Sequence, residues 1–273
     1  MIKCIKYFLA LLLVLCGSCS SSGSSSEGGY TGENQNASGV WSNVPLGKEA
    51  GKIFVAGIIT PEYNARFIGD AIQYVGTVDV RARTVLNGEL SACVWTTTGG
   101  VHYQTNHATL DMFGYLVQKF LLMGSFRYDA NPDENVPFEF IYNTTYEVPP
   151  SIDDIKDSWV FVDEWKSGNT LVLTITPSTE VPTIGNITGS DTLGNSFLGT
   201  ISIHYSPPSD TPKNIYDLSL QFYNTSNGDT VSLGGLATYL ESYNEDGSAE
   251  GKTLCIGATS ADYSYSLNGF GTQ

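Results

Sequence analysis

Residues 216–223 have the sequence YDLSLQFY, in which apolar and polar side chains alternate. A period of two places successive side chains on opposite faces of a β-strand, so this segment predicts a strand with one buried and one solvated face. Residues 197–205 show the same alternation over part of their length. Asn227-Gly228 follows the first segment and supplies the positive φ angles that a tight hairpin requires. These features predict antiparallel strands joined by short turns.

The composition of the whole chain favours the same fold class. Of the 273 residues, 12% are aromatic, 29 are glycine and 15% are charged, against about 25% charged residues in ordinary soluble proteins. Aromatic residues favour strands, and glycine favours turns. Further hairpin turns are predicted at Asn87-Gly88, at Asp246-Gly247 and at 167–169. We therefore expect an all-β protein.

Two segments also have features of a helix. Residues 113–121 carry apolar side chains at helical spacing, but Gly114 and Gly124 favour a hairpin of two strands there. Residues 151–157 begin with Ser151, a good N-cap, and two aspartates follow in the first turn, where the helix dipole favours acids. We expect strands in the first segment and a short connecting helix in the second.

Short blocks of sequence recur in the two halves of the chain, in the same order and at similar spacing. The blocks are a tryptophan (Trp41 and Trp159), Ile-Thr-Pro followed by Ile-Gly-Asp or Ile-Gly-Asn (59–70 and 175–186), and YVGTV or FLGTI (74–78 and 197–201). Such a recurrence indicates the duplication of one module.

The proline pair at 149–150 marks the join between the modules, because each proline restricts the residue before it and ends strand pairing. We place lobe 1 at 39–148 and lobe 2 at 149–273. A lobe with about seven or eight short strands must close into a barrel or fold into a sandwich to hide its sheet edges. The predicted fold is all-β, with two tandem, internally repeated antiparallel β-barrel or β-sandwich lobes.

The charge balance excludes one class of partner. The chain has 13 basic and 28 acidic side chains, a formal net charge of −15 and a pI near 4.4. Such a chain is not attracted to a phosphate backbone, so we expect no nucleic-acid partner. The same charge opposes binding to an anionic membrane surface.

Residues 1–18 have the layout of a secretory signal peptide. Lys3 and Lys6 precede an apolar run at 7–16, and small residues follow. The apolar run has about ten residues, whereas a membrane-spanning helix needs ~20, so an export signal is favoured over a permanent span. Removal of this segment takes away two basic residues and no acid, which leaves 11 basic and 28 acidic side chains and a charge of −17.

Residues 15–19, with the sequence LCGSC, resemble the lipobox of bacterial lipoproteins. The resemblance implies that Cys19 becomes lipidated and is the first residue of the mature protein. Cys16 is the weaker candidate because the bulky Leu15 precedes it, and Cys16 itself stands where the family usually has leucine. The alternative is an ordinary cleaved signal peptide with an unmodified cysteine.

Residues 19–38 are rich in serine and glycine and predict a disordered tether between a lipid anchor and the folded body. Ser20 follows the cysteine; in the proteobacterial lipoproteins that this segment resembles, a residue other than aspartate there goes with sorting to the outer membrane. In a Gram-positive source, the outer leaflet of the plasma membrane would replace it. The resemblance thus implies a cell-envelope protein that is attached to the membrane through its N-terminal lipid.

The body resembles uncharacterised proteobacterial lipoproteins with repeated Gly-rich β modules. The similarity rests on short segments such as 214–218 (NIYDL) and 235–238 (GLAT). That family has no established activity, so the resemblance implies location and architecture and supplies no catalytic residue.

Two cysteines remain in the exported body, Cys93 and Cys255. An oxidising exterior permits a disulfide between them. Both also lie in apolar, strand-like runs, which equally suits two separately buried thiols. The sequence leaves both alternatives open.

No catalytic, cofactor or metal site is predicted. His102, His107 and Asp111 are three possible zinc ligands close in sequence, but no zincin spacing is present and exposed imidazoles are favoured. His204 lies on the polar parity of its strand and is expected to be solvated. Residues 194–199 miss the spacing of a nucleophile elbow, and no phosphate-binding or dinucleotide-binding glycine motif occurs.

Paired carboxylates and tyrosines are the remaining candidates. A glycosidase needs only two suitably spaced acids, and the acids considered are Asp70, Asp79, Glu89, Asp163, Glu164 and Asp217. Residues 244–250 favour a hairpin turn over a calcium loop. Several tyrosines fall in or beside predicted turns, among them Tyr63 and Tyr263, where their rings could stack on sugars or contact a protein.

The function expected from these features is non-catalytic binding or structural support in the cell envelope, with an envelope protein or a glycan as the partner and no cofactor. A lipocalin-like carrier of an apolar ligand is the alternative, and a carboxylate-dependent hydrolase is the second alternative.

Overall fold

The structure is a computed structural model, and it describes residues 34–43, 55–69, 72–82, 84–95, 105–130, 133, 135–162, 169–207, 211–225, 227–243 and 249–273. All of these residues belong to one compact unit, Glu33–Gln273. The signal peptide, Cys19 and most of the tether lie outside the described residues.

The first half of the chain forms a closed antiparallel barrel, called barrel 1 here. Its strands are β1 (Gly39–Ser42), β2 (Val55–Ile59), β3 (Asn64–Gly69), β4 (Ile72–Arg81), β5 (Val85–Trp95), β6 (Thr105–Val117), β7 (Leu121–Tyr128) and β8 (Asn135–Asn143). Each strand pairs with the next, and β8 pairs with β1 to close the barrel, with Tyr142 opposite Trp41.

The second half forms barrel 2 with the same connectivity. Its strands are β9 (Asp157–Val162), β10 (Thr170–Pro177), β11 (Ile184–Asp191), β12 (Ser196–Ile203), β13 (Tyr216–Tyr223), β14 (Thr230–Tyr243), β15 (Ala249–Thr259) and β16 (Ser266–Thr272). Pairing of β16 with β9 closes this barrel, with Gly271 opposite Phe161.

A short helical connector joins the barrels. It consists of a 3₁₀ turn (Thr144–Glu147) and the α-helix α1 (Ile152–Ile155). Ser151 caps α1 because its side-chain oxygen accepts a hydrogen bond of 3.2 Å from the backbone N–H of Asp153. The connecting helix predicted from the sequence is confirmed.

The all-β prediction with two tandem lobes is confirmed, and each lobe is a barrel rather than a sandwich. In β13, Tyr216, Leu218, Leu220 and Phe222 are buried, as the period of two predicts. The segment at 113–121 belongs to β6 and β7 and to the turn between them, so the preference for strands over a helix is also confirmed.

The hairpin turn predicted at Asn87-Gly88 is wrong, because both residues lie inside β5. The flanking Leu86 and Leu90 are buried in the barrel, and their burial keeps the strand continuous through this position. Gly88 is needed for close packing: a Cβ there would lie 2.9 Å from the carbonyl oxygen of Thr77 and 3.2 Å from the Cβ of Met112.

Equivalent residues of the sequence repeat occupy equivalent strands. Trp41 and Trp159 lie in the first strand of each barrel and are fully buried. Each indole N–H donates to the carbonyl four residues earlier, at 3.0 Å to Ala37 and 2.8 Å to Ile155. The runs 74–78 and 197–201 both lie in the fourth strand of their barrel. These matches support a duplication.

Side chains fill the interiors of both barrels. In barrel 1, five aromatic rings lie with their centroids 4.4 to 5.7 Å apart, namely Phe67, Tyr74, Phe126, Phe138 and Phe140. In barrel 2, Phe197 stacks on Phe222 at 5.1 Å, and both belong to the same buried cluster as Trp159. Each interior is therefore a packed core.

Candidate functional site

The two barrels pack against each other through the outer faces of their sheets. Ile215, Leu236, Leu240 and Cys255 of barrel 2 are buried in the same apolar cluster as the core of barrel 1. Side chains of barrel 1 closely approach the backbone of barrel 2 at Gly257, where a Cβ would lie 2.7 Å from Gln73 Oε1 and 2.9 Å from Ile68 Cγ1. The interface is thus a continuation of the hydrophobic core.

A buried glutamine joins the barrels by hydrogen bonds. The Nε2 of Gln73, on β4, donates to Ser266 Oγ at 2.8 Å and to the carbonyl of Ala258 at 3.4 Å. Its Oε1 accepts from Arg66 Nη1 at 2.7 Å. Because Gln73 is fully buried, these bonds replace the water that it loses on folding.

Beside this contact lies a depression of about 380 Å³ between the barrels, called the inter-barrel cleft here. Most of the side chains around it are polar, and they come from both barrels. They include Thr60, Asn64, Arg66, Val75 and Thr77 of barrel 1, and His204, Asp217, Leu236 and Tyr263 of barrel 2. The volume is within the range of about 300–1,000 Å³ that is usual for small-ligand sites.

Arg66 is a cation in the wall of the cleft that has only neutral partners among the described residues. Its guanidinium donates to Gln73 Oε1, to the carbonyl of Gly234 at 2.9 Å and to Thr259 Oγ1 at 3.5 Å. Burial lowers the pKa of Arg66 to about 10, because removal from water disfavours the charged form. An anion bound beside the guanidinium would compensate for this loss of hydration.

His204 lies at the other side of the cleft between two carboxylates. Its Nδ1 is 2.9 Å from Asp217 Oδ1, and its Nε2 is 3.1 Å from Glu62 Oε2. The hydrogen bond with Asp217 raises the pKa of His204, burial opposes this effect, and Glu62 adds to it. The imidazole ring therefore connects an acid of barrel 1 with an acid of barrel 2.

Glu62 is held in its charged form. Burial alone would raise its pKa, but hydrogen bonds, led by the one from Ser206 and including the one from His204, outweigh burial and lower the pKa to about 2. Glu62 lies in the turn between β2 and β3, so this turn of barrel 1 is fixed to barrel 2.

The expectation that His204 is solvated is wrong, since only 16% of its side chain is exposed. Ile201 and Ile203 pack in the core of barrel 2, so the alternation places His204, the next residue, on the outer side. The turn that carries Glu62 covers this outer surface, and a contact across 142 positions leaves no local pattern in the sequence.

Two tyrosines have positive φ angles in matching turns, Tyr63 at 69° and Tyr263 at 59°. In each turn the tyrosine N–H donates to the carbonyl three residues earlier, at 2.9 Å to Thr60 and at 3.1 Å to Ser260. Such angles cost a bulky residue about 1–3 kcal/mol and occur most often at functional sites. Tyr263 lines the inter-barrel cleft. Both residues lie in turns, as the sequence predicted.

Cys93 and Cys255 are both buried and both free. In the structure the two thiols are separate. Burial raises the pKa of Cys93 to about 11, although the charge of Arg66 opposes this shift, and burial also raises the pKa of Cys255. Both thiols are therefore protonated at neutral pH.

The zinc candidates do not assemble in the described part of the chain. His107 faces the ring of Tyr263 at 5.9 Å between centroids, whereas Asp111 pairs with Arg127 at 3.1 Å. His102 lies outside the described residues. No group of three metal-binding side chains occurs among the residues described.

The candidate acids are scattered. Asp217 belongs to the cleft, and Asp79 forms an exposed ion pair with Arg81 at 3.2 Å. Glu89 is exposed on β5. Asp70, Asp163, Glu164 and the turn at 244–248 lie outside the described residues. Sequence reasoning did not identify Arg66, Gln73 or Glu62, and the only local signal was a charged residue between Ala65 and Phe67 in an apolar strand.

No protein-family model, curated protein or solved structure matches the chain. Among the residues that the structure describes, no helix has both the length and the apolar character that a membrane span requires.

Proposed function

We propose that this protein is a lipid-anchored protein of the cell envelope, most simply of the outer membrane, whose role is to bind a ligand without catalysis. The inter-barrel cleft is its binding site, and the ligand is a glycan unit that carries a carboxylate. Cys19 carries the lipid, and no cofactor or metal takes part.

The observation that carries the proposal is Arg66, a half-buried cation in the cleft wall without a carboxylate partner among the described residues. A guanidinium recognises a carboxylate by directed N–H···O bonds that are stronger than neutral hydrogen bonds. Asp217, the acid that lines the cleft, is already paired with His204, so it does not neutralise Arg66.

The other cleft residues suit a sugar ring. Asn64 and Thr77 offer amide and hydroxyl groups, and Tyr263 offers an aromatic ring. Sugars are bound by such a combination, because their hydroxyls need hydrogen bonds and their C–H faces pack on aromatic rings.

The packed cores favour this role over that of a lipocalin-like carrier. A carrier holds an apolar ligand inside an open barrel. Here the rings of Phe67, Phe126 and Phe140 occupy the interior of barrel 1, and Phe197 and Phe222 occupy that of barrel 2.

The geometry of His204 favours binding over hydrolysis. Both ring nitrogens are hydrogen bonded to carboxylates, so neither nitrogen is free to take a proton from a nucleophile or to donate one to a leaving group. The ion pairs instead fix the shape of the cleft.

Calorimetric titration with D-glucuronate and D-glucose tests the proposal. The two sugars differ only at C6, which is a carboxylate in glucuronate and a hydroxymethyl group in glucose. We expect glucuronate to bind about tenfold more tightly or better, in line with one charge-assisted contact. Arg66→Gln should abolish the preference, whereas Arg81→Gln, an exposed arginine of the same barrel, should preserve it. Equal affinity for the two sugars would contradict the proposal.

The anchor has a separate test. Cys19→Ala should release the protein from membranes during fractionation, and the wild-type N-terminal peptide should carry the mass of attached acyl chains. Unchanged fractionation together with an unmodified peptide mass would refute lipidation.

A further inference from the structure

An exposed apolar surface lies on barrel 1, on the outer side of β6, β7 and β8. Between 38% and 62% of each of its large apolar side chains is exposed, and these are Phe113, Tyr115, Val117, Phe120, Met123 and Ile141. We call these six residues the β6–β8 face.

The strand register joins most of this face, while Phe113 lies between Asn87 and Ser125, and Glu139 lies opposite Met123. Tyr115 lies opposite Met123, and Val117 lies opposite Leu121, which in turn lies opposite Ile141. Directly opposed side chains on one face of a sheet are in contact distance. A depression of about 440 Å³ lies beside Tyr115 and Met123.

Barrel 2 offers a contrast. Leu198 is 60% exposed on β12, but its partners on the neighbouring strands are Thr188 and Gln221. Single exposed apolar residues are common on soluble proteins, whereas contiguous apolar patches mark interaction surfaces. Leu198 is a single exposed apolar residue and not part of a patch, so it provides a matched control.

The start of the described chain lies at this face. The side-chain oxygen of Gln35 accepts a hydrogen bond of 3.0 Å from the backbone N–H of Gln118, and Gln118 lies in the β6–β7 turn between Val117 and Phe120. The N-terminal segment therefore joins the body at the edge of the apolar surface.

The sequence places the anchor within reach of this edge. Residues 20–33 separate Cys19 from the described chain and are rich in serine and glycine. Fourteen residues of chain span at most about 50 Å even when fully extended. A lipid on Cys19 thus keeps the β6–β8 face close to a bilayer and raises its effective concentration there.

We propose that the β6–β8 face docks on the surface of the lipid bilayer to which the N-terminus is anchored. The two aromatic side chains next to the turn, Tyr115 and Phe120, enter the headgroup region, and the aliphatic residues cover its apolar boundary. The tethering part of this inference rests on the proposed function, while the docking itself depends only on the face.

The charge of the protein selects the kind of lipid. The exported chain has 11 basic and 28 acidic side chains, and the basic groups at the edge of the face are already paired, Lys119 with Glu147 and Arg127 with Asp111. Anionic headgroups would repel such a body. We therefore expect docking on zwitterionic lipid, driven by apolar burial and insensitive to salt.

The test uses the exported chain, residues 19–273 with Cys19→Ser, so that no lipid contributes. We expect it to float with phosphatidylcholine vesicles, and to bind less when phosphatidylglycerol is added at low salt. The pair Tyr115→Ser and Met123→Ser should lower the partition coefficient by about tenfold or more, because the side chains that would be buried are removed. Leu198→Ser should leave it unchanged.

Three outcomes would overturn the inference. They are absence of vesicle binding by the parent chain, equal binding by the Tyr115/Met123 variant, and a concentration-dependent dimer that this variant abolishes without vesicles. Unchanged circular dichroism of the exposed-site variants would show that they fold. The chain used here carries no acyl group, so this test still applies if Cys19 proves not to be lipidated. Conversely, absence of vesicle binding would not contradict lipidation, which is judged from the mass of the N-terminal peptide.

Discussion

His204 connects the barrels through charge, and this makes the stability of the protein depend on pH. Its pKa is raised in the folded state above 6.5, so its contribution is fully present below pH 6.5 and is lost as the pH rises through the folded value. The pKa of Glu62 is lowered from 4.5 to about 2, so its contribution is present above pH 4.5 and is lost as the pH falls towards 2.

The first prediction concerns His204→Gln, which cannot form the charged contact. We expect the variant to be about 1–2 kcal/mol less stable than the wild type near pH 5.5, where both ion pairs are formed. The difference should be smaller at pH 9, since the wild-type imidazole loses its charge as the pH rises through its folded-state pKa. Urea unfolding at both pH values measures it, and a difference that does not change with pH would contradict the assignment.

The second prediction concerns Cys93 and Cys255. Because both thiols are buried and their pKa values are raised, the folded exported chain should react with a thiol reagent at pH 8 far more slowly than a free cysteine does. Denaturation without a reductant should release two reactive thiols when Cys19 is acylated or replaced by serine. The absence of free thiols after denaturation would instead indicate a bridge.

At the scale of the strand, the local sequence pattern was sufficient to predict the element where one face of the strand packs on a core. The alternation at 216–223 predicted β13 because the barrel interior imposes a period of two. The same local reasoning was wrong at Asn87-Gly88, where burial of Leu86 and Leu90 outweighs the turn preference of the pair. Residues that favour turns therefore predict a turn only where the flanking side chains are not buried in a core.

The inter-barrel cleft could not be predicted from local sequence patterns, for a different reason. Arg66 contacts Gly234, and Gln73 contacts Ser266, and these residues meet only after both barrels have closed and packed together. The alternation along a strand shows that a side chain lies on the outer face of its barrel. It does not show whether that face meets solvent or the neighbouring barrel. For this reason His204 was expected in water, and the choice between barrel and sandwich also remained open.

The third prediction compares two glycines on adjacent strands. At Gly257 a Cβ would lie 2.7 Å from Gln73 Oε1, whereas at Gly234 a Cβ would have no atom within 4 Å. Gly257→Ala should therefore destabilise the protein by about 1–3 kcal/mol. Gly234→Ala should be within about 0.5 kcal/mol of the wild type or slightly more stable. Thermal unfolding of both variants measures the contrast, and similar losses at both sites would show that the barrels do not pack as closely at Gly257.

At the scale of the molecule, the two halves of the chain form closed barrels with the same strand order, but packing makes them one unit. Each barrel repeats the tryptophan contact and the strand order of the other. The apolar cluster of barrel 1, however, includes Leu236 and Leu240 of barrel 2. Separation of the barrels would expose these side chains and leave Gln73 without its partners in barrel 2, so each barrel covers an apolar outer surface of the other.

The fourth prediction follows from this shared core. Urea unfolding monitored by hydrogen exchange should give the same midpoint for peptides from β3–β4 and from β12–β13, because loss of one barrel exposes the apolar interface of the other to water. In Gly257→Ala the added methyl group pushes the barrels apart, and the two midpoints should separate. Gly234→Ala is the matched control and should keep a single midpoint. Two distinct midpoints in the wild type would mean that the interface contributes little to stability, and the barrels would then be independent domains that happen to be in contact.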